Sequence, residues 1–149
     1  MKKYMVEQSG RSMIEMLGVL AIVGVLSVAG IAGYSKAMAK YKTNKLIEQV
    51  NNIASTVRTT FDSQGNYKGL SYDTACKIGL FPEYMKKDCT CGQHGNSCIV
   101  SVYGSEIGLS GSNYAGSSEN SFKITVRVPT KEACMALYSV DWGGGQQVS

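Results

Sequence analysis

The peptide bond between Gly10 and Arg11 and the carboxylate of Glu15 are the groups whose types and spacing point most clearly to chemistry. Glu15 is the last charged residue before an uncharged stretch from Met16 to Ser35. An acid at the lip of such a stretch is expensive in lipid, on the order of 2.5 kcal/mol or more, unless something pairs it. Cleavage after Gly10 would free an α-amino group on Arg11. In an assembly of copies, that ammonium could meet the Glu15 carboxylate of a neighbour. Such a pair neutralises the acid and fixes the axial register of one subunit on the next.

Sulfur offers the second chemistry. Cys76, Cys89, Cys91, Cys98 and Cys134 all lie beyond the uncharged stretch. In an exported head they would form up to two disulfides and leave one thiol over, in a connectivity that spacing does not fix. Cys134 lies far from the others, so a bridge to it would close the longest loop and stabilise most in the loop-entropy account. A rival use is a metal site. Cys89, Cys91, His94 and Cys98 are four zinc-type ligands close together, and His94 is the single histidine of the chain. Against zinc stand the Cys-x-Cys spacing, which is not the usual paired knuckle, and the oxidising compartment that favours disulfides. No cofactor is therefore expected, with the Cys/His cluster as the alternative.

These groups need elements to hold them. Met16 to Ser35 is about 20 residues long, and as a helix it spans about 30 Å, the thickness of a bilayer's hydrocarbon core. A helix is the only single segment that satisfies its own backbone there. Gly18, Gly24, Gly30 and Gly33 let neighbouring helices approach closely. An ordinary secretory signal would have a shorter apolar core and no acid at its front. Lys2 and Lys3 fit a cytoplasmic N-terminus. Lys36, Lys40, Lys42 and Lys45 make the other flank basic as well, so the cysteines decide the orientation better than the charges do.

The helix is expected to continue past the stretch. Tyr34, Met38, Tyr41, Ile47, Val50, Ile53/Ala54, Val57 and Phe61 recur every three or four residues, and no Pro interrupts them. The opposite face carries Lys40, Thr43, Lys45, Asn51, Asn52, Ser55 and Arg58. A helix from Ser12 to Phe61, about 75 Å long, is apolar all round in its first half and amphipathic in its second. Asp62 to Gly69 reads as turns, Ser71 to Ile78 as a short helix closed by Gly79, and 86–97 as a loop. Cys98 to Tyr103, with Ser97, reads as a strand. Gly104 to Asn120, rich in Gly and Ser, reads as an exposed loop able to meet a receptor or a neighbouring subunit. Phe122 to Val128 alternates as a half-exposed strand. Thr130 caps a helix over Lys131 to Tyr138. The expected fold is α+β: a long N-terminal helix packed against a small antiparallel sheet head with short helices.

The run Gly10, Arg11, Ser12, Met13, Ile14, Glu15 resembles the prepilin motif of type IV pilins: Gly, any residue, Ser or Thr, two apolar residues, Glu. A second likeness runs from Leu46 to Met85, through Gly65-Asn66-Tyr67-Lys68-Gly69-Leu70, Ala75 and Gly79-Leu80-Phe81-Pro82. It is similar to type IVb pilins, most of all the PilS branch of thin conjugative pili. The resemblance implies a leader over 1–10 removed by prepilin peptidase, with N-methylation of Arg11. It implies a membrane and filament-core helix over 11–35, its amphipathic half over 36–61, and a disulfide-bearing head over 62–149. Glu15 falls where the family keeps its assembly acid. Arg11 stands where the family usually has an apolar residue, and its guanidinium offers Glu15 a partner within the chain as well. Type IV pilins also tie a C-terminal cysteine back to the sheet region, which implies a bridge from Cys134 to Cys98 or Cys89.

The implied function is a structural subunit of a pilus. It would be stored in the inner membrane, polymerised by the inner-membrane assembly machinery through its N-terminal helix into a homopolymer, and displayed outside the cell for attachment or conjugative mating contact. A type II secretion pseudopilin or a minor pilin would share the N-terminus. A non-polymerising membrane-anchored binding protein with the Cys/His metal site is the alternative of another class. No enzyme is expected, because the chain has one His, no Gly-x-Ser-x-Gly elbow and no phosphate loop. The net charge of +4 is mild and gives no specific nucleic-acid signal.

Overall fold

A computed structural model describes residues 13–87, 91, 98–114 and 117–143. The expected start of the long helix at Ser12 and the expected leader over 1–10 lie outside these residues. The chain divides into two compact units at Ala39/Lys40. The long helix α1 runs over Met13–Phe61 and contributes to both.

In the first unit, the described part of α1 has no buried residue. Most side chains there are apolar, and none of the described residues of this unit shields them from water. It is the one helix among the described residues that is long and apolar enough to cross a membrane, judged by length and composition.

The second unit is built on the remaining part of α1. Leu46, Gln49, Ile53, Ala54, Val57 and Phe61 form its buried stripe. The spacing is helical, as expected, but the stripe is rotated from the expected one. Leu46 and Gln49 are buried, whereas Tyr41 is exposed and Ile47 and Val50 are half-buried. Gln49 explains part of the rotation. Its Oε1 accepts the Val102 amide proton at 3.0 Å, so a polar side chain fills a core position by serving a backbone group of another segment. Thr43 and Tyr103 add a hydroxyl–hydroxyl bond of 2.9 Å on the same side.

After α1 a 3₁₀ turn over Asp62–Gln64 ends on Gly65, and the chain enters α2, Tyr72–Lys77. Ser71 caps α2 by accepting from the Thr74 amide at 3.2 Å. The other end closes on Gly79 at φ +73°, with Gly79 N–H donating to Cys76 at 3.2 Å and Leu80 N–H to Ala75 at 2.9 Å. That pair of bonds is the Schellman closure, which needs a left-handed residue.

The sheet is one antiparallel hairpin. Strand β1, Ile107–Tyr114, pairs with β2, Ser117–Val126, in the register Ile107 to Val126 and Leu109 to Ile124. The expected loop over Gly104 to Asn120 is therefore mostly strand. Its Ser and Gly residues are held extended by β2 on one side. On the other side Ser71 bridges to Ser110, and the Gly111 amide donates to Leu70 at 3.0 Å. The expected strand ending at Tyr103 is not a strand among the described residues. Ile99 and Val100 make single bridges to Lys86 and Glu106, and a turn follows at once. Helix α3, Lys131–Tyr138, starts where expected, with Thr130 accepting from the Ala133 amide at 3.3 Å.

Ile53, Val57 and Phe61 of α1 share one core with Ala75 and Cys76 of α2, Phe81 and Met85, Ile99, and Ile107 and Leu109 of β1. Inside it the Tyr72 hydroxyl is buried without a hydrogen-bond partner. Burial pushes its pKa above the ordinary value. The Cys98 and Ile99 backbones pull the other way, but neither reaches hydrogen-bonding geometry.

Gln49→Leu keeps side-chain volume and removes the acceptor for the Val102 amide. Chemical denaturation of the variant should show a loss of about 1–3 kcal/mol, the cost of orphaning a buried donor. An unchanged midpoint would mean that Gln49 is not what holds this turn to α1.

Candidate functional site

Glu15 sits in the first turn of α1, where a carboxylate is favoured by the helix dipole, and it is exposed. Around it and beyond it the apolar side chains stand in the open. Met13 is 86% exposed and Ile14 79%, and Leu17, Leu20, Ile22, Val25, Leu26, Val28 and Ile31 are exposed as well. Gly18, Gly24, Gly30 and Gly33 have no non-local atom within 4 Å of where a Cβ would stand. The glycines thus leave open notches along an exposed apolar rod. Such a rod can accept lipid or other helices, and the notches admit close approach. Gly10 and Arg11 lie outside the described residues.

In the head, Cys76 on α2 and Cys91 form a disulfide, with Cα atoms 5.7 Å apart and a sequence separation of 15. It ties the segment after Met85 back to α2, beside the buried core. Cys98 is disulfide-bonded too, to a partner outside the described residues. Cys134 is free and exposed on α3. The expected bridge from Cys134 to Cys98 or Cys89 is therefore not made. Ala133 is the residue of α3 that is buried, and its neighbour Cys134 faces solvent. Cys89 and His94 lie outside the described residues. The sulfurs of Cys91 and Cys98 are committed to disulfides, so they cannot serve as the thiolates of the alternative zinc site.

One contact that the sequence reading missed closes the head. The Arg58 guanidinium, on the solvent side of α1, donates to the carbonyls of Trp142 and Gly143 at 2.8 and 2.9 Å. It also lies over the Phe122 ring of β2, 5.9 Å from the ring centre. Phe122 continues through Tyr67, at 4.9 Å, to Phe61, at 6.1 Å. Trp142 in turn donates its indole N–H to the Leu137 carbonyl at the end of α3, at 3.1 Å. Arg58 thus joins α1, β2 and the segment after α3. Nothing in the local spacing of Arg58 marks it, because its partners are backbone carbonyls 84 and 85 residues away.

A family model described as PilS N terminal matches residues 40–149. The chain belongs to the PilS family of type IV pilins. No curated protein and no solved structure matches it. The match begins at Lys40, where the second compact unit begins, and takes in the whole head. It is thus independent of the Gly10–Glu15 motif, which lies in the other unit. PilS proteins are structural pilins, so this chain is a pilin-like pilus subunit, and the apolar first part of α1 fits a membrane anchor.

Removing the head disulfide with Cys76→Ser and Cys91→Ser together should lower the stability of the PilS head by about 3 kcal/mol, the loop-entropy value for a loop of this length. Urea titration of the full chain in detergent, followed by circular dichroism, would measure it. No shift in the midpoint would mean that the crosslink does not constrain the unfolded head.

Proposed function

We propose that this PilS pilin is a structural subunit of a type IVb-like pilus, for attachment or conjugative mating contact. It is held in the inner membrane by the apolar half of α1 until assembly, and the head faces the oxidising side, where disulfides persist. Prepilin peptidase cuts after Gly10, and the new amine of Arg11 is methylated. The inner-membrane assembly machinery then moves the helix from lipid into a filament core made of the same helices. The units of function are the leader over 1–10, the core helix over 11–35, its amphipathic continuation over 36–61, and the head over 62–149.

The observation that carries this reading is the pairing of an acid with an unshielded rod. From Met13 to Ile31 the large apolar side chains stand exposed, and Glu15 is the acidic residue in the first turn of α1. Exposed apolar area of this extent needs lipid or other copies around it. Lipid alone gives Glu15 no opposite charge. A neighbouring copy does, through the ammonium of its Arg11, and the same contact sets the step between subunits. In the head, Cys89 is the remaining cysteine, and we assign it as the partner of Cys98. Two disulfides then brace a small head that must survive outside the cell.

Glu15→Val should leave cleavage and membrane insertion nearly intact while filament yield falls at least tenfold. Leaving a desolvated charge unpaired costs about 3 kcal/mol or more at each subunit contact. Shearing fibres from cells and quantifying subunit by immunoblot against the membrane pool measures this. Wild-type fibre yield from the variant would contradict the pairing.

A further inference from the structure

The two edges of the hairpin in the second unit differ. On the β1 side, the Gly111 amide donates to Leu70 at 3.0 Å and the Ile107 amide to Ile99 at 2.9 Å. Both bonds point away from β2. In an antiparallel pair, opposite residues turn their N–H and C=O groups either both toward each other or both away. Ile107, Leu109 and Gly111 turn away from β2, so their opposites Val126, Ile124 and Phe122 turn away from β1. The backbone groups of these three residues therefore line the outer edge of β2. Among the described residues no strand lies beside that edge, and no backbone hydrogen bond reaches those groups.

The side chains of the same strand sort by face. Phe122, Ile124 and Val126 pack against the margin of the core and stay half-buried. Lys123, Thr125 and, just past the strand, Arg127 alternate with them and are exposed. Arg127 keeps the alternation, because its carbonyl still turns to the β1 side, where the Ser105 hydroxyl donates to it at 2.6 Å. The ion pairs among the described residues use Lys45, Lys77 and Lys86, so Lys123 and Arg127 are both unneutralised.

An edge of unpaired backbone groups is a template for another extended chain. The charges decide which chain. A second copy adding its own β2 would gather Lys123 and Arg127 of both copies on one face, and like charges across strands are destabilising. Lysine on an edge commonly serves to keep sheets apart in this way. That repulsion acts against identical or basic strands and not against an acidic one. A strand with acids at alternate positions meets both cations, and its intervening apolar side chains fall beside Phe122, Ile124 and Val126.

We infer that the outer edge of β2 is a docking site for an extended acidic segment of a partner protein. The segment adds as a third strand on the backbone of Phe122, Ile124 and Val126, with its carboxylates on Lys123 and Arg127. The site lies wholly within the second unit and does not depend on the pilus reading.

The test uses the full chain in detergent micelles and, as probe, a capped peptide of about nine residues alternating Val and Glu, the length of an ordinary strand. Amide hydrogen exchange is followed residue by residue by NMR. In the free chain the Phe122, Ile124 and Val126 amides should exchange fast, and those of Lys123 and Thr125, paired with β1, slowly. Saturating peptide should slow the first three at least tenfold. A Val and Lys peptide of the same length should bind about tenfold more weakly, because two cross-strand charge pairs turn from attraction to repulsion. Lys123→Glu with Arg127→Glu should reverse that preference, with the Ser110 amide still protected to show that the hairpin forms. Slow exchange of the three amides in the free chain would mean that the chain itself already fills the edge, and would overturn the docking site. Slowing that follows chain concentration without peptide would overturn it in favour of a second copy. Equal binding of the two peptides would overturn the acidic partner, and protection by neither would overturn the site.

Discussion

An apolar helix with a single acid in its first turn cannot rest in water, and it rests fully in lipid only if the acid is neutralised. That constraint organises the rest of this PilS pilin. The segment from Met13 to Ile31 has no buried residue of its own, so it must borrow its surroundings. Lipid satisfies the apolar side chains, and a filament core satisfies them equally well. In the proposed account the hydrophobic effect does not choose between storage in lipid and assembly, because both take this apolar surface out of water. In that account Glu15 supplies the bias, because the amine freed on a neighbour's Arg11 is a partner that the assembled state adds to the guanidinium of its own chain.

The head has a different task, which is to stay folded on the far half of the same helix with a small core. It does so by spending α1 as one wall. Ile53, Val57 and Phe61 meet α2 and β1, while Gln49 and Arg58 each capture backbone groups of distant segments. Those polar captures are directional, so they fix how the turn at Val102 and the segment after α3 lie against the helix, where apolar contact alone would tolerate sliding. The Cys76–Cys91 bridge then removes freedom from the unfolded chain.

Much of this was legible from local signals. The end of α1 at Phe61, the short helix beginning near Ser71 and closed by Gly79, and the Thr130 cap of α3 follow from residues within one turn of each boundary. The placement of Glu15 at the mouth of an uncharged helix was legible for the same reason. What was not legible depends on partners far away in sequence. The Ser- and Gly-rich segment of β1 has weak strand preference, and it is extended because β2 and Ser71 pair with it. Ile99 and Val100 have strong strand preference, yet the turn that Gln49 holds through Val102 ends them after single bridges. The buried stripe of α1 is rotated by part of a turn from the expected one, because Gln49 takes a core position by bonding a backbone amide 53 residues away, which local spacing does not mark. Disulfide connectivity was equally out of reach. Spacing alone left Cys134 the most stabilising choice, and it is free.

The central claim is that cutting after Gly10 makes the subunit that polymerises. The intact mass of protein sheared from the cell surface tests it most directly. The account requires a chain beginning at Arg11, heavier by one methyl group and lighter by the hydrogens of two disulfides. A surface chain that retains Met1, or one cut beyond the apolar stretch, would contradict it.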